Sequence, residues 1–389
     1  MAEQLAYVII TPYTLYKSRT GGVLARLLSR TGLDLCAARM FAPSEELVAK
    51  YAEVAVSTSD PKDPRIKKLL KDYILKNLGP DARTGRRRRV MVLLFRGEDA
   101  VRRVRSVVGE LMPNRWSGET IRDTFADCIL DENGEVRYFE PAVLAAPNPD
   151  EARLKLKLWA EYSDRDGGLL KDVIEYQPGE VPQQTLVLIK PDNFRFPSGR
   201  PGNMIDFFSR TGLFIVAIKV HRMSVAEACE FYAPVREVLR SKFKDKVGER
   251  AAEIFAKEFG FPTPAPVKNQ LGELLGPLVA DYHFESIVKF MSGRAPSECD
   301  PVLRAQPGTE KCIALVYEGP NAIAKIRDVL GPTDPSKAPP GSIRREFGSN
   351  IMVNAAHASD SPENAVREMA IVKPGENQFK KVVQEFFGD

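Results

Sequence analysis

No pair of the five cysteines (Cys36, Cys128, Cys229, Cys299, Cys312) has the close spacing of a metal or redox site. Their odd number and scatter imply reduced, mostly buried thiols and a cytoplasmic setting. No apolar run approaches the roughly 18 residues of a membrane helix. The N-terminus enters a strand-like run, Leu5 to Ile10, so no secretory leader is expected. Charge of one sign is also missing. The 56 basic and 52 acidic residues leave a net charge of +4, which does not by itself imply a polyanionic partner. The densest basic run, Gly85-Arg-Arg-Arg-Arg89, falls short of a nucleic-acid tract and reads as a solvated loop end. Neither Gly-x-x-x-x-Gly-Lys-Ser/Thr nor Gly-x-Gly-x-x-Gly occurs, so any phosphate would be held by side chains rather than by a glycine cradle.

What is present is a unit written twice. Ser-Arg-Thr-Gly-Leu occurs at 29–33 and again at 209–213. Tyr7-Val-Ile-Ile-Thr-Pro-Tyr13 precedes the first copy, and Leu186-Val-Leu-Ile-Lys-Pro-Asp192 precedes the second. Leu93 to Val101 matches Leu315 to Ile323, and Thr120 to Phe125 matches Ser342 to Phe347. The repeats are expected to be domains over 1–178 and 179–389, joined through Gln177-Pro-Gly-Glu-Val-Pro-Gln183. The second carries inserts near 236–280 and 295–310, the longer suited to a lid or an oligomer contact. Each repeat alternates apolar strands with amphipathic helices. This predicts an α+β sandwich with helices over an antiparallel or mixed sheet. The first repeat should close with a helix from Pro149 to about Tyr176, the second with a helix from Pro362.

Chemistry concentrates in Asn354-Ala-Ala-His-Ala-Ser-Asp-Ser-Pro, after the apolar run Ile351-Met-Val353. Small neighbours leave the His357 imidazole uncrowded, and the helix start beyond it favours an anion. Lys190 at a strand end, Arg327, Thr333, Arg344 and Asn354 could supply phosphate ligands.

Ile189-Lys-Pro-Asp192, Gly331-Pro-Thr-Asp-Pro335, Pro340-Gly-Ser-Ile-Arg344 and Asn354-Ala-Ala-His-Ala-Ser-Asp360 together resemble, in order, the signature segments of nucleoside diphosphate kinases. The resemblance covers the second repeat outside its inserts. It implies two ferredoxin-like α/β sandwich domains with antiparallel sheets in tandem. It also implies transfer of the terminal phosphate of ATP or another nucleoside triphosphate to a nucleoside diphosphate, with Mg²⁺ on the phosphates. His357 would be the nucleophile of a ping-pong reaction, Glu368 would hold its far ring nitrogen, and Ser359 matches the serine beside it. Lys190 and Arg344 would clamp outer phosphates, and Arg327 and Thr333 inner ones. Tyr232 would sit at the transferred phosphate and Asn354 at the ribose and phosphate side of the pocket.

Where the family stacks the base on Phe, this chain has His283, with Phe284 adjacent, and Ala358 replaces the glycine after the histidine. The first repeat has Thr11 opposite Lys190, Pro141 opposite Asn354 and Leu144 opposite His357, so it should be inactive. The pair would form an intramolecular pseudo-dimer, open to homo-oligomer formation. The competing expectation is a weak or inactive nucleotide-binding scaffold.

Overall fold

The structure is a computed structural model, and it describes residues 3–56, 63–112, 117–133 and 135–388. Ten strands occur among them: β1 (Glu3–Ile10), β2 (Asp34–Phe41), β3 (Val90–Glu98), β4 (Asp127–Leu130), β5 (Val136–Glu140), β6 (Val143–Ala145), β7 (Pro182–Ile189), β8 (Phe214–His221), β9 (Cys312–Pro320) and β10 (Ala356–Ala358). The chain divides into two compact units. The larger comprises Met1–Val220, Ile313–Met369 and Lys373–Asp389, and the smaller comprises His221–Cys312 with Ala370–Val372.

Two four-stranded sheets run β2-β3-β1-β6 and β8-β9-β7-β10, the same order twice. β1 is antiparallel to β3 and β6, and β7 to β9 and β10. Of the two sheet geometries left open by the alternation of strands and helices, the antiparallel one is realised. The central strands are continuous apolar runs because helices cover them; Val8, Ile9 and Ile10 are fully buried, as are Leu186 to Ile189. The repetition reaches single dihedrals. Asp99 and Asn321 take the left-handed conformation (φ 54° and 55°) before matching helices, Ala100–Val108 and Ala322–Leu330. Asn and Asp tolerate that region better than other side chains.

Inside the larger unit the helices Thr20–Thr31 and Arg200–Ser209 cross at a glycine contact. A Cβ on Gly202 would lie 2.2 Å from the Gly21 carbonyl oxygen, so the backbones could not approach this closely with any other residue. Asp206 accepts hydrogen bonds from the Gly22 and Gly21 amides at the start of the first helix, but burial pushes its carboxyl up to about 6. A folded-state pKa above the unfolded value favours the protonated form. Its contribution to stability is therefore present at low pH and fades as pH rises from about 4 through about 6. Discounted for partial exposure, the loss is about 1–2 kcal/mol. Asp206→Asn should reduce the fall in unfolding free energy between pH 4.5 and 7.5 by that amount, measured by urea unfolding.

Two expectations are revised. The helix from Pro149 ends at Asp166 rather than near Tyr176, because Gly167 and Gly168 follow and Gly168 takes φ 123°. The longer insert is a helical hairpin, Ala233–Phe259 and Ala265–Ser292, that outruns 236–280 at both ends. Glycines let its arms touch; a Cβ on Gly272 would lie 2.3 Å from the Lys244 carbonyl oxygen. The apolar run Ile351–Val353 lies outside the histidine's strand. Ile351 is exposed, and the strand begins only after Ala355 turns left-handed at φ 69°.

The arginine run is tied down. Arg86 pairs with Glu175 (2.9 Å), Arg87 with Asp166 (3.1 Å) and Arg88 with Asp81 (2.8 Å). Arg89 donates to the Ile215 carbonyl oxygen and lies over the Phe214 ring.

Candidate active site

His357 sits mid-way along the three-residue β10, opposite Leu188 of β7. The helix Pro362–Val372 follows at once, with Pro362 at its first turn and the Ser361 hydroxyl accepting from the Asn364 amide. This tight strand-to-helix return folds Glu368 back onto the imidazole. Glu368 Oε2 lies 2.9 Å from His357 Nε2 and accepts from Ser359 Oγ at 2.7 Å. Arg367 Nη2 stands 3.6 Å from the other oxygen. Glu368 and Ser359 are buried, while the imidazole keeps 24% of its side-chain surface exposed. The histidine thus has one nitrogen held from inside while part of its ring reaches the surface.

A second cluster is built at the end of β7. Lys190 Nζ donates to Asn354 Oδ1 (2.9 Å) and to the Met352 carbonyl oxygen (2.7 Å). The Asn354 amide donates in turn to the carbonyls of Thr333 (3.1 Å) and Ile351 (2.9 Å). One buried asparagine therefore links the lysine to the Thr333 loop. Burial pushes the Lys190 ammonium down to about 8; Asp192 opposes this shift and Arg344 adds to it. Asp192 is itself raised by burial, against the pull of Lys190.

Arg344, on the short helix Ile343–Phe347, reaches across to the Gly331 carbonyl (3.0 Å) and the Ala356 carbonyl (3.1 Å). It braces the residue just before His357. Thr333 and Arg327 are exposed, Arg327 on the last turn of Ala322–Leu330.

The smaller unit holds the remaining candidates. Tyr232 is buried at the end of the helix Val225–Phe231. His283 stacks flat on Phe243 across the helical hairpin, ring centroids 4.8 Å apart, and Phe284 is buried beneath Arg236.

The nucleoside diphosphate kinase family model matches residues 302–377. The nucleoside diphosphate kinase of Campylobacter hominis is 33% identical over 193 residues, covering 50% of this chain and 96% of that protein. That of Staphylothermus marinus is 32% identical over 190 residues, covering 49% and 92%. This chain belongs to the nucleoside diphosphate kinase family. A crystal structure of the Aquifex aeolicus nucleoside diphosphate kinase aligns at 27% identity over 49% of this chain and 95% of that one, with a TM-score of 0.31.

Set against the site around His357, the first repeat shows which parts belong to the fold. Leu144 pairs with Ile9 as His357 pairs with Leu188. Arg122 donates to the Gly109 carbonyl (2.6 Å) and the Val143 carbonyl (3.0 Å), repeating both bonds of Arg344. These bonds persist beside a leucine, so bracing the strand is a task of the fold, separate from any chemistry at the histidine. At the place of Glu368 stands Lys155, paired with Glu151 at 2.8 Å.

Two supporting residues were missed from sequence. The Asn193 amide donates to the Lys190 carbonyl (3.0 Å) and the Ala355 carbonyl (2.9 Å), tying the two halves of the site together. Arg200 Nε donates to Asn193 Oδ1 at 3.1 Å. A polar residue directly after Lys-Pro-Asp was the available signal.

Proposed function

We propose that the second repeat, over 179–389, moves the terminal phosphate of a nucleoside triphosphate to a nucleoside diphosphate through a phosphohistidine at His357. The first repeat, over 1–178, acts as its inactive structural partner. The contact from Glu368 to His357 Nε2 carries this reading. A carboxylate accepting from Nε2–H selects the tautomer in which Nδ1 keeps its lone pair. Nδ1 attacks the γ-phosphorus, the bond to the β,γ-bridging oxygen breaks, and the nucleoside diphosphate leaves with that electron pair. The imidazolium gains charge in this step, and buried Glu368 stabilises it. In the second half-reaction a terminal oxygen of the acceptor diphosphate attacks the same phosphorus and the P–N bond breaks, restoring His357.

Lys190 and Arg344 supply positive charge for the phosphate oxygens, and Arg327 and Thr333 extend the surface on which the remaining phosphates lie. Asn354 holds Lys190 in register and faces the ribose side. Among the described residues no three His, Cys, Asp or Glu side chains gather for a metal. Mg²⁺ would arrive on the phosphates as part of the substrate, with phosphate oxygens and waters as its ligands, and Lys190 and Arg344 would meet the phosphate charge that remains.

The test is radiolabel transfer. Protein incubated with γ-labelled ATP and Mg²⁺ should take up acid-labile label that added nucleoside diphosphate removes as labelled triphosphate. Nucleotide binding with neither uptake nor transfer would instead identify an inactive scaffold.

A further inference from the structure

Among the described residues, one cation of the arginine run finds no carboxylate partner. Arg86, Arg87 and Arg88 each reach an acid, whereas Arg89 ends on the Ile215 carbonyl oxygen and the face of the Phe214 ring. Desolvation pulls the Arg89 guanidinium down to about 10, opposed by the fields of Tyr176 and Glu318. The acids around it are engaged elsewhere. Glu318 accepts from the Tyr176 hydroxyl (2.9 Å) and the Gln184 amide (2.7 Å), and Asp206 accepts from the Gly21 and Gly22 amides. A guanidinium carries five donors in a flat fork, and the Ile215 carbonyl takes one of them. A desolvated charge with donors to spare favours an anion.

Arg89 lines a cavity of about 150 Å³ inside the larger unit, at the seam where both repeats contribute side chains. Tyr317 lines it from the second repeat. That side chain is 2% exposed, and its buried hydroxyl makes no hydrogen bond. A hydroxyl left in that state lowers stability, since its desolvation is not repaid. Packing alone does not require it. Phe95 stands at the matching place in the first repeat, opposite Ala6 as Tyr317 is opposite Thr185, and is fully buried without a hydroxyl. Ser18 and Thr20 of the first repeat bring two further hydroxyls to the lining, and Ile205 and Leu213 supply apolar wall. A water could bond the tyrosine, but it would not offset the charge of the arginine. The space equals the share of about five waters in the liquid, enough for an ion the size of acetate or phosphate. It is too small for a nucleotide.

We propose that this cavity binds a small oxyanion, a carboxylate or inorganic phosphate, between the Arg89 guanidinium and the Tyr317 hydroxyl. The ligand is gripped by side chains from both repeats, so its binding favours their association.

The probes are inorganic phosphate and acetate, added to the full-length chain while thermal unfolding is followed, with chloride at equal ionic strength as the reference. At least one of the two should raise the midpoint with the concentration dependence of one site per chain. Phosphate can also meet the cations near His357, so the titration is repeated on Lys190→Met, where the rise should persist. Arg89→Met and Tyr317→Phe should each weaken the apparent affinity about tenfold, the scale of one hydrogen bond to a charged group. Without added anion, Tyr317→Phe should unfold at or above the parent midpoint, because the matching place already holds Phe95. A larger rise with phosphate identifies a phosphate-type ligand, and a larger rise with acetate identifies a carboxylate. No rise with either ion, a rise untouched by both seam substitutions, or a rise lost in Lys190→Met would each overturn the proposal.

Discussion

His357→Ala should abolish acid-labile labelling by γ-labelled ATP and lower phosphate transfer by about 10⁴-fold or more, the scale of losing a catalytic nucleophile. The substitution is clean for structural reasons. The first repeat carries Leu144 at the same register, so a short apolar side chain is compatible with the strand. Glu368 does not become an orphan when the imidazole goes, because Ser359 Oγ still donates to the same oxygen at 2.7 Å. Thermal unfolding of the variant should therefore remain close to the parent, and the loss of activity can be read as chemistry. Label that persists at full level in this variant, in acid-labile form, would remove His357 from the role of phosphoryl carrier.

Much of that site was legible because it is encoded locally. A histidine among small residues, a serine two positions on and a helix-starting proline place Glu368 on a helix eleven residues later, where one return of the chain meets the imidazole. The repeat was legible for a similar reason, since matched segments recur in the same order along the chain and fold into sheets of identical strand order. What sequence did not reveal depends on groups that meet only in three dimensions. The strand that carries His357 is the plain Ala356–Ala358, selected by pairing with β7 rather than by its composition. Arg344 was expected to face phosphate, and without substrate its guanidinium spans two carbonyls, which only the juxtaposition of Gly331 and Ala356 could reveal. Compactness groups both sheets in one unit and sets His221–Cys312 with Ala370–Val372 apart, the stretch in which the sequence placed both inserts, near 236–280 and 295–310.

The pH dependence of the kinase site should be governed by Lys190. Its ammonium is buried and held down to about 8, well below an ordinary lysine. Below that value the substrate-free protein presents a cation to the incoming phosphates, and above it the lysine is neutral. The value of kcat/KM for a Mg²⁺-nucleoside triphosphate reports the free protein. It should therefore hold below about pH 8 and fall with rising pH beyond it. Asp192 raises the lysine's affinity for its proton, so Asp192→Asn should move this alkaline limb to lower pH. Lys190→Met should abolish the limb altogether and reduce kcat/KM by about 10²–10³-fold at pH 7, the scale of removing one preorganised charge donor. Stability should move the opposite way with pH. A lysine whose folded pKa lies below its unfolded value binds fewer protons when folded. The unfolding free energy should then rise as pH increases from about 8 towards the ordinary lysine range, by roughly 3 kcal/mol for the full shift. Lys190→Met should lose that rise in chemical unfolding measured at pH 7.5 and 10. A wild-type limb in kcat/KM that Lys190→Met leaves in place would assign the titration to another group.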